Sequence, residues 1–196
     1  MKKLIAALAL TTLLTSSSFG QFKTGQQAPD FTLNDLDGNH VTLSEVVGGG
    51  PVYINFWATW CGPCKKEIPE LIKLYDQFKD RGFKVLAISV DDSRTQGKVK
   101  SFVADRNMPF TILLDGNSEV FKRKYKGTGI PYGFLLDNEG KIVHSVRGYI
   151  PGMEKTLEAK IQPYLAAAPE PAPKGDQSAD KGSGKKAPSK KDETVK

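Results

Sequence analysis

The sequence predicts an α/β protein in which helices flank a mixed central sheet. The apolar run at residues 52–57 has the length and composition of a buried strand, and residues 63–80 repeat apolar side chains at helical spacing. Further strand-like and helical segments alternate as far as residue 165. Because strands separated by helices usually pair in parallel, and a closing hairpin adds antiparallel strands, one mixed sheet between helices is expected.

The remaining elements follow from local patterns. The predicted strands span residues 31–33, 41–43, 52–57, 83–90, 110–114, 132–136 and 141–146. The predicted helices span residues 63–80, 98–106, 118–125 and 152–165. Gly38 and Gly140 lie in turn sequences that predict two hairpins, Gly82 ends the first helix, and Ser118 is a candidate cap of the third.

The first twenty residues have the order of a secretory signal. Two lysines precede an apolar stretch at residues 4–14, and small residues follow as far as Gly20. We expect cleavage after Gly20, with retention as a membrane anchor as the alternative. No cysteine lies at the cut, so lipid attachment there is excluded. Export would place the chain where disulfides persist, in the periplasm or at the outer face of a bacterial cytoplasmic membrane.

Residues 169–196 differ in composition from the rest. This tail is rich in Pro, Lys, Ser and Gly, and it holds seven lysines against five acidic residues. It cannot bury enough apolar surface to offset chain ordering, so we predict a disordered tail after one domain at residues 21–168. The tail and the signal carry most of the net charge of +6. The charge is therefore no indication of nucleic-acid binding.

Two cysteines stand where the buried strand gives way to the helix. Free N–H groups and partial positive charge at a helix N-terminus favour a thiolate, which predicts a lowered pKa and a nucleophilic role for Cys61. Cys64 lies about one helical turn further on and could resolve a mixed disulfide. Gly62 is expected to permit the tight turn, and Pro63 to occupy the first helical position.

Other uses of two cysteines are less consistent with the sequence. A structural zinc site usually needs four Cys or His ligands, and the only histidines, His40 and His144, are far apart in the chain. A permanent disulfide across so short a loop would constrain the unfolded chain little. We therefore predict a redox-active pair, no metal and no cofactor.

The motif resembles the thioredoxin superfamily. Trp-Cys-Gly-Pro-Cys-Lys at residues 60–65 is its signature, and residues 55–69 are similar to the extracytoplasmic TlpA/ResA-type branch. Residues 28–33 also resemble that branch and its peroxiredoxin relatives, and the likeness extends over about residues 25–164. It implies a thioredoxin-like fold with an N-terminal β-hairpin and an inserted strand–helix unit at residues 110–125.

The resemblance also implies a substrate-binding surface. Thioredoxin-like proteins carry a cis proline facing the disulfide, which matches Ile130-Pro131, with an ordinary trans proline as the alternative. The Ile130 backbone would then pair with an extended client segment. Trp60, Gly62 and Pro63 would border the same surface.

An acidic residue near the cysteines is a further feature of TlpA/ResA-like proteins, and Glu67 occupies that position. A half-buried carboxylate there could take the proton from Cys64. The alternative is a solvated acid favoured by the helix dipole. Thioredoxins carry a buried Asp at the position of Asn55, and Asn cannot accept a proton.

These features predict a monomeric cell-envelope oxidoreductase that reduces disulfides of exported clients. The resemblance implies clients such as apocytochrome c and a membrane thiol-transfer electron donor. A peroxidase is the first alternative, although Ile54 and Ala58 stand where peroxiredoxins place Pro and Thr ahead of their reactive cysteine. A client-binding module without turnover is the second.

Overall fold

The computed structural model describes residues 22–166. The predicted signal, its cleavage site and the predicted tail lie outside the described residues, so these stay predictions. Within residues 22–166 the strands are β1 Thr32–Asp35, β2 His40–Thr42, β3 Val52–Trp57, β4 Lys84–Ser89, β5 Thr111–Leu114, β6 Tyr132–Leu136 and β7 Ile142–Arg147. The α-helices there are α1 Leu43–Val46, α2 Gly62–Phe78, α3 Val99–Asp105 and α4 Met153–Ile161. None of these helices is long and apolar enough to cross a membrane.

The strands form one mixed sheet in the order β2-β1-β5-β4-β3-β6-β7. Strands β3, β4 and β5 pair in parallel, whereas β6 and β7 add antiparallel strands beyond β3. The hairpin β1–β2 joins the other end of the sheet through antiparallel pairing of β1 with β5. The predicted mixed sheet and both predicted hairpins are therefore confirmed.

Strand β3 lies at the centre of the core, and all six of its residues are buried. On one face, Trp57 packs against Phe102 of α3 at 5.2 Å between ring centroids. On the other face, Phe56 contacts Phe121 and Tyr125 at 5.1 and 5.2 Å. Both faces of the sheet are covered, which explains why β3 is apolar on both faces apart from Asn55 and shows no polar alternation.

The predicted helix at residues 118–125 is only a π-helical turn at Val120–Lys124, and Ser118 does not cap it. Ser118 adopts a left-handed backbone conformation with φ 56°. The buried Asp115 carboxylate instead accepts N–H hydrogen bonds from Val120 at 3.2 Å and Phe121 at 2.8 Å. The prediction that Ser118 caps this segment was wrong, because the Asp115 carboxylate accepts the N–H groups at its start.

Gly133 of β6 lies directly beneath the ring of Tyr53 on the face that packs against α2. In the antiparallel register Gly133 is opposite Asn55, two residues after Tyr53 on β3. A Cβ added to Gly133 would overlap the Tyr53 hydroxyl and ring. Glycine at this position therefore allows a large aromatic ring to lie flat between the sheet and α2.

Gly133→Ala is expected to lower the free energy of unfolding by about 2 kcal/mol, because the Tyr53 ring must move within a packed core. Urea unfolding of the disulfide form measures this change. Gly62→Ala is the matched control, because a Cβ at Gly62 meets no atom within 4 Å. Its effect should stay within about 0.5 kcal/mol. Equal effects of the two substitutions would contradict the packing argument.

Candidate functional site

A tight turn joins the end of β3 to the start of α2 and carries the first cysteine. The N–H of Cys61 donates to the carbonyl of Ala58 at 3.1 Å and closes the turn. Cys61 is the N-cap of α2 and has an extended backbone with φ −82° and ψ 108°. Cys61 and Cys64 form a disulfide with their Cα atoms 5.3 Å apart. The two predicted redox residues are therefore joined at the first turn of the helix.

The two sulfur atoms have different surroundings. The Cys61 Sγ accepts a hydrogen bond from the Cys64 N–H at 3.2 Å, so free donors of the helix N-terminus point toward it. Cys61 keeps 5 % of its surface exposed, whereas Cys64 keeps 0 %. Cys61 is thus the cysteine that reaches the surface, and its sulfur lies where a thiolate is stabilised.

The residues between the cysteines are placed differently from the expectation. Helix α2 begins at Gly62, so Pro63 takes the second helical position, whose N–H would also lack an intrahelical partner. Gly62 adopts helical backbone geometry, and an added Cβ would meet open space. The tight turn therefore does not require glycine. Gly62 instead leaves the surface beside the disulfide free of any side chain.

Glu67 is more deeply buried than the sequence suggested, with 5 % of its surface exposed. Its Oε2 accepts a hydrogen bond from the Asn55 Nδ2 at 2.9 Å. Burial raises the pKa of Glu67 to about 7, and the Asn55 hydrogen bond opposes part of that rise. Glu67 lies one helical turn after Cys64, a spacing that brings side chains to within about 5–6 Å. The solvated-acid alternative is thereby excluded.

Two tyrosines flank the buried carboxylate. Burial, and then the charge of Glu67, raise the pKa of Tyr53, whose hydroxyl lies near Asn55 without hydrogen-bonding geometry. On the other side, Glu67 borders a crevice of about 10 Å³ between α2 and α4, which Tyr149 and Met153 also line. Glu67 therefore sits between the sheet and a narrow opening that is close to the size of one water molecule.

A separate cleft of about 330 Å³ lies beside Trp60 and is bordered by Phe121, Lys122 and Ile130. Trp60 is 60 % exposed, so it stands at the rim as expected, whereas Trp57 is in the core. The Ile130–Pro131 peptide bond is cis, as the resemblance implies. Trp60 and Ile130 thus face the same cleft.

Two other residues near this surface could not be predicted from the sequence. The N–H of Gly148 donates to the Pro131 carbonyl at 2.8 Å, which places the loop after β7 next to the cis proline. Ile150 in that loop is 72 % exposed. Lys122 comes from the π-helical turn. Neither motif nor periodicity marks Ile150 or Lys122, because their position depends on how distant loops meet.

The structure gives little support to a metal centre or to peroxiredoxin-type residues. His40 lies on β2 and His144 on β7, at opposite edges of the sheet. Between residues 22 and 166, no three His, Cys, Asp or Glu side chains are grouped to hold a metal ion. Ile54 and Ala58 are buried apolar residues that offer no hydroxyl near Cys61.

The raised pKa of Glu67 predicts that the free energy of unfolding falls as the pH rises. Below its ordinary value of 4.5, both folded and unfolded states keep the proton and the residue has no effect. As the pH rises to about 7, the unfolded state ionises first, so the free energy of unfolding falls by on the order of 3 kcal/mol. In Glu67→Gln this part of the decline should vanish.

Urea unfolding of the disulfide form at pH 4.5, 6 and 8 measures the effect. Asp76→Asn is the control, because it makes the same carboxyl-to-amide change on an exposed residue of the same helix, which pairs with Lys79. Its pH dependence should match that of the unsubstituted protein. The burial argument fails if Glu67→Gln and the unsubstituted protein lose stability equally between pH 4.5 and 8.

Comparison with known proteins shows the family of the chain. Residues 24–145 match the AhpC/TSA family. The chain is 36 % identical over 141 residues to the thiol-disulfide oxidoreductase ResA of Bacillus thuringiensis, covering 72 % of this chain and 76 % of that protein. It is 38 % identical over 141 residues to ResA of Bacillus subtilis, covering 72 % and 73 % of the two chains.

Solved structures with the same fold carry related names. The crystal structure of a protein assigned as thiol:disulfide interchange protein DsbE from Chlorobium tepidum aligns with a TM-score of 0.67 at 33 % identity, over 74 % of this chain and 99 % of that one. A thiol:disulfide interchange protein from Bacteroides sp. aligns with a TM-score of 0.61 at 30 % identity, over 79 % and 95 %. The chain therefore belongs to the AhpC/TSA family and, with its Cys61–Cys64 pair, is a thioredoxin-like thiol-disulfide oxidoreductase similar to ResA.

Proposed function

We propose that this oxidoreductase is an exported reductant that transfers two electrons from its Cys61–Cys64 dithiol to disulfides of client proteins. The observation that carries the proposal is the asymmetry of the pair. Cys61 keeps the exposed edge and the helix N-terminus, while Cys64 is fully buried behind it. An attacking cysteine whose edge reaches the surface and a fully buried resolving cysteine are the arrangement that such a transfer needs.

The reaction balances as two exchanges. The Cys61 thiolate attacks one sulfur of the client disulfide, forming a mixed disulfide and releasing the other client sulfur as a thiolate. The Cys64 thiol loses its proton, attacks the Cys61 sulfur and releases the second client thiolate. The client is thereby reduced, and the enzyme is left with the Cys61–Cys64 disulfide that the structure contains.

Glu67 is the base that we assign to the second exchange. Its pKa of about 7 means that a fraction of the molecules carry the carboxylate near neutral pH, ready to accept a proton. Asn55 holds one carboxylate oxygen, Oε2, through its amide. Glu67 and Cys64 lie on neighbouring turns of α2, so the proton would travel within the buried interior while the client still covers Cys61.

The client would lie along the cleft beside the disulfide. Trp60 and Ile130 offer apolar contacts there, and Gly62 leaves room for an approaching chain. Such a surface suits an extended client segment whose side chains pack on either side of its cysteine. Gly62, Pro63 and Pro131 would border the segment where it passes the two sulfur atoms.

The proposed cellular setting rests on the sequence. The signal-like first twenty residues favour export to the periplasm or to the outer face of the cytoplasmic membrane. Exported proteins meet an oxidising environment, so a reductant there must be recharged, and the resemblance to the TlpA/ResA-type branch implies a membrane thiol-transfer donor. The same proposal includes clients such as apocytochrome c. It also holds that the protein acts as a monomer and does not bind nucleic acid.

Substrate choice and trapping test the proposal together. The reduced protein should transfer electrons rapidly to the disulfides of insulin and only slowly to hydrogen peroxide. Cys64→Ala should accumulate a dithiothreitol-sensitive adduct with envelope proteins, because the mixed disulfide cannot resolve. Cys61→Ala is the matched control and should trap none. Faster oxidation by peroxide than by insulin would support the peroxidase alternative, and adducts through Cys64 would reverse the assignment of the two thiols.

Glu67→Gln is expected to slow the release of client from the mixed disulfide about tenfold at neutral pH, because the amide cannot accept the Cys64 proton. Single-turnover quenching of the mixed disulfide with insulin measures this step. The first attack by Cys61 should keep its rate. Asp76→Asn, on the exposed side of the same helix, should leave both steps unchanged. An unaltered resolution rate in Glu67→Gln would show that another group accepts the proton.

A further inference from the structure

Beyond the cysteines and Glu67, a second buried carboxylate is linked directly to the turn that carries Cys61. Asp91, just after β4, is buried and accepts hydrogen bonds at both carboxylate oxygens from Thr59. The Thr59 N–H donates to Oδ2 at 2.8 Å, and the Thr59 hydroxyl donates to Oδ1 at 2.6 Å. The Ser89 hydroxyl donates to Oδ2 at 2.9 Å. Two of the three donors therefore come from one residue.

The position of Asp91 continues the pairing of the two central strands. In the parallel register of β3 and β4, Trp57 is opposite Ser89, and the Val90 N–H donates to the Trp57 carbonyl at 2.9 Å. Two residues beyond this pair, Thr59 is opposite Asp91. Beyond the last backbone hydrogen bond between the two strands, the Asp91 carboxylate accepts the Thr59 N–H in place of a backbone carbonyl. This bond keeps the chain after β3 in register with the chain after β4.

Thr59 is also a central residue of the turn that ends at Cys61. The hydrogen bond from the Cys61 N–H to the Ala58 carbonyl places Thr59 and Trp60 at the two central positions of that turn. Of these two residues, Trp60 is exposed and Thr59 is buried, so the side chain that attaches the turn to the protein interior is that of Thr59. What holds Thr59 therefore fixes the direction in which Trp60 and Cys61 leave the sheet.

We propose that Asp91 is a positioning residue for the redox reaction: by holding both donors of Thr59 it keeps the Cys61 sulfur at the N-terminus of α2. The inference rests on the proposed role of Cys61 as the attacking thiol. When the hydrogen bonds to Asp91 are lost, the turn gains freedom. The sulfur then spends less time beside the helix N–H groups, and a smaller fraction of Cys61 is thiolate at neutral pH.

Alkylation of reduced Cys61 by iodoacetamide at pH 7, in a Cys64→Ala background, tests the proposal without any client. Asp91→Asn and Thr59→Val should each slow alkylation about tenfold, within the range that misplacement of a reacting group costs. Thr59→Ser keeps both donors and should restore the rate. Ser89→Ala removes the third hydrogen bond but neither bond to Thr59, so it should stay within about twofold of the unsubstituted protein.

Comparing Asp91→Asn with Thr59→Val distinguishes a positioning role of Asp91 from an effect of its charge. If Asp91 acted only through its charge, Asp91→Asn would speed alkylation by removing a negative charge near the thiolate, and Thr59→Val would have no effect. If Asp91→Asn does not fold, as judged by circular dichroism, Thr59→Val decides. Alkylation of folded Thr59→Val at the unsubstituted rate would overturn the proposal. If Thr59→Val is alkylated slowly but the unsubstituted protein does not reduce insulin, the proposed function fails and the positioning role of Asp91 stands.

Discussion

Burial of β3 on both faces is the constraint on which the site depends. All six of its residues are buried, and β4 and β6 pair with it on either side. The chain can therefore leave β3 only at the carboxyl end of the strand, where it must turn back at once into α2 to cover one face of the sheet. Cys61 sits at that reversal, where the end of the central strand meets the start of α2, the longest helix between residues 22 and 166. The rigidity of the core is thereby passed on to the reacting sulfur.

The same strand also determines where the buried acid is held. Asn55 faces α2 from the middle of β3, and its amide meets the Glu67 carboxylate. Thioredoxins place an acid on the strand at this position, whereas here the strand supplies the amide and the helix supplies the acid. A carboxylate in this interior is costly when charged, and one hydrogen bond from a neutral amide offsets the cost only in part. The site therefore keeps a buried carboxyl group at the expense of stability above its pKa.

Much of this arrangement can be predicted from the sequence, because it depends on local patterns. The buried strand, the helical repeat of α2 and the spacing of the cysteines are each visible within about twenty residues, and the structure places all three as expected. The contacts that escaped prediction join distant parts of the chain. Thr59 meets Asp91 across 32 residues, and Asp115 caps a turn that Ser118 was expected to cap. No periodicity signals such a pair, since each partner alone is an ordinary polar residue after a strand. The burial of Glu67 could not be predicted for the same reason. It depends on α4, which lies far along the chain and packs over α2.

The crevice between α2 and α4 and the cleft beside Trp60 are separate openings. Glu67 borders the crevice together with Tyr149 and Met153, whereas Trp60 and Ile130 border the cleft, and the two openings share no lining residue. If a client occupies the cleft as proposed, it would leave the crevice beside Glu67 uncovered. Proton exchange between Glu67 and the medium would then not have to wait for the client to leave.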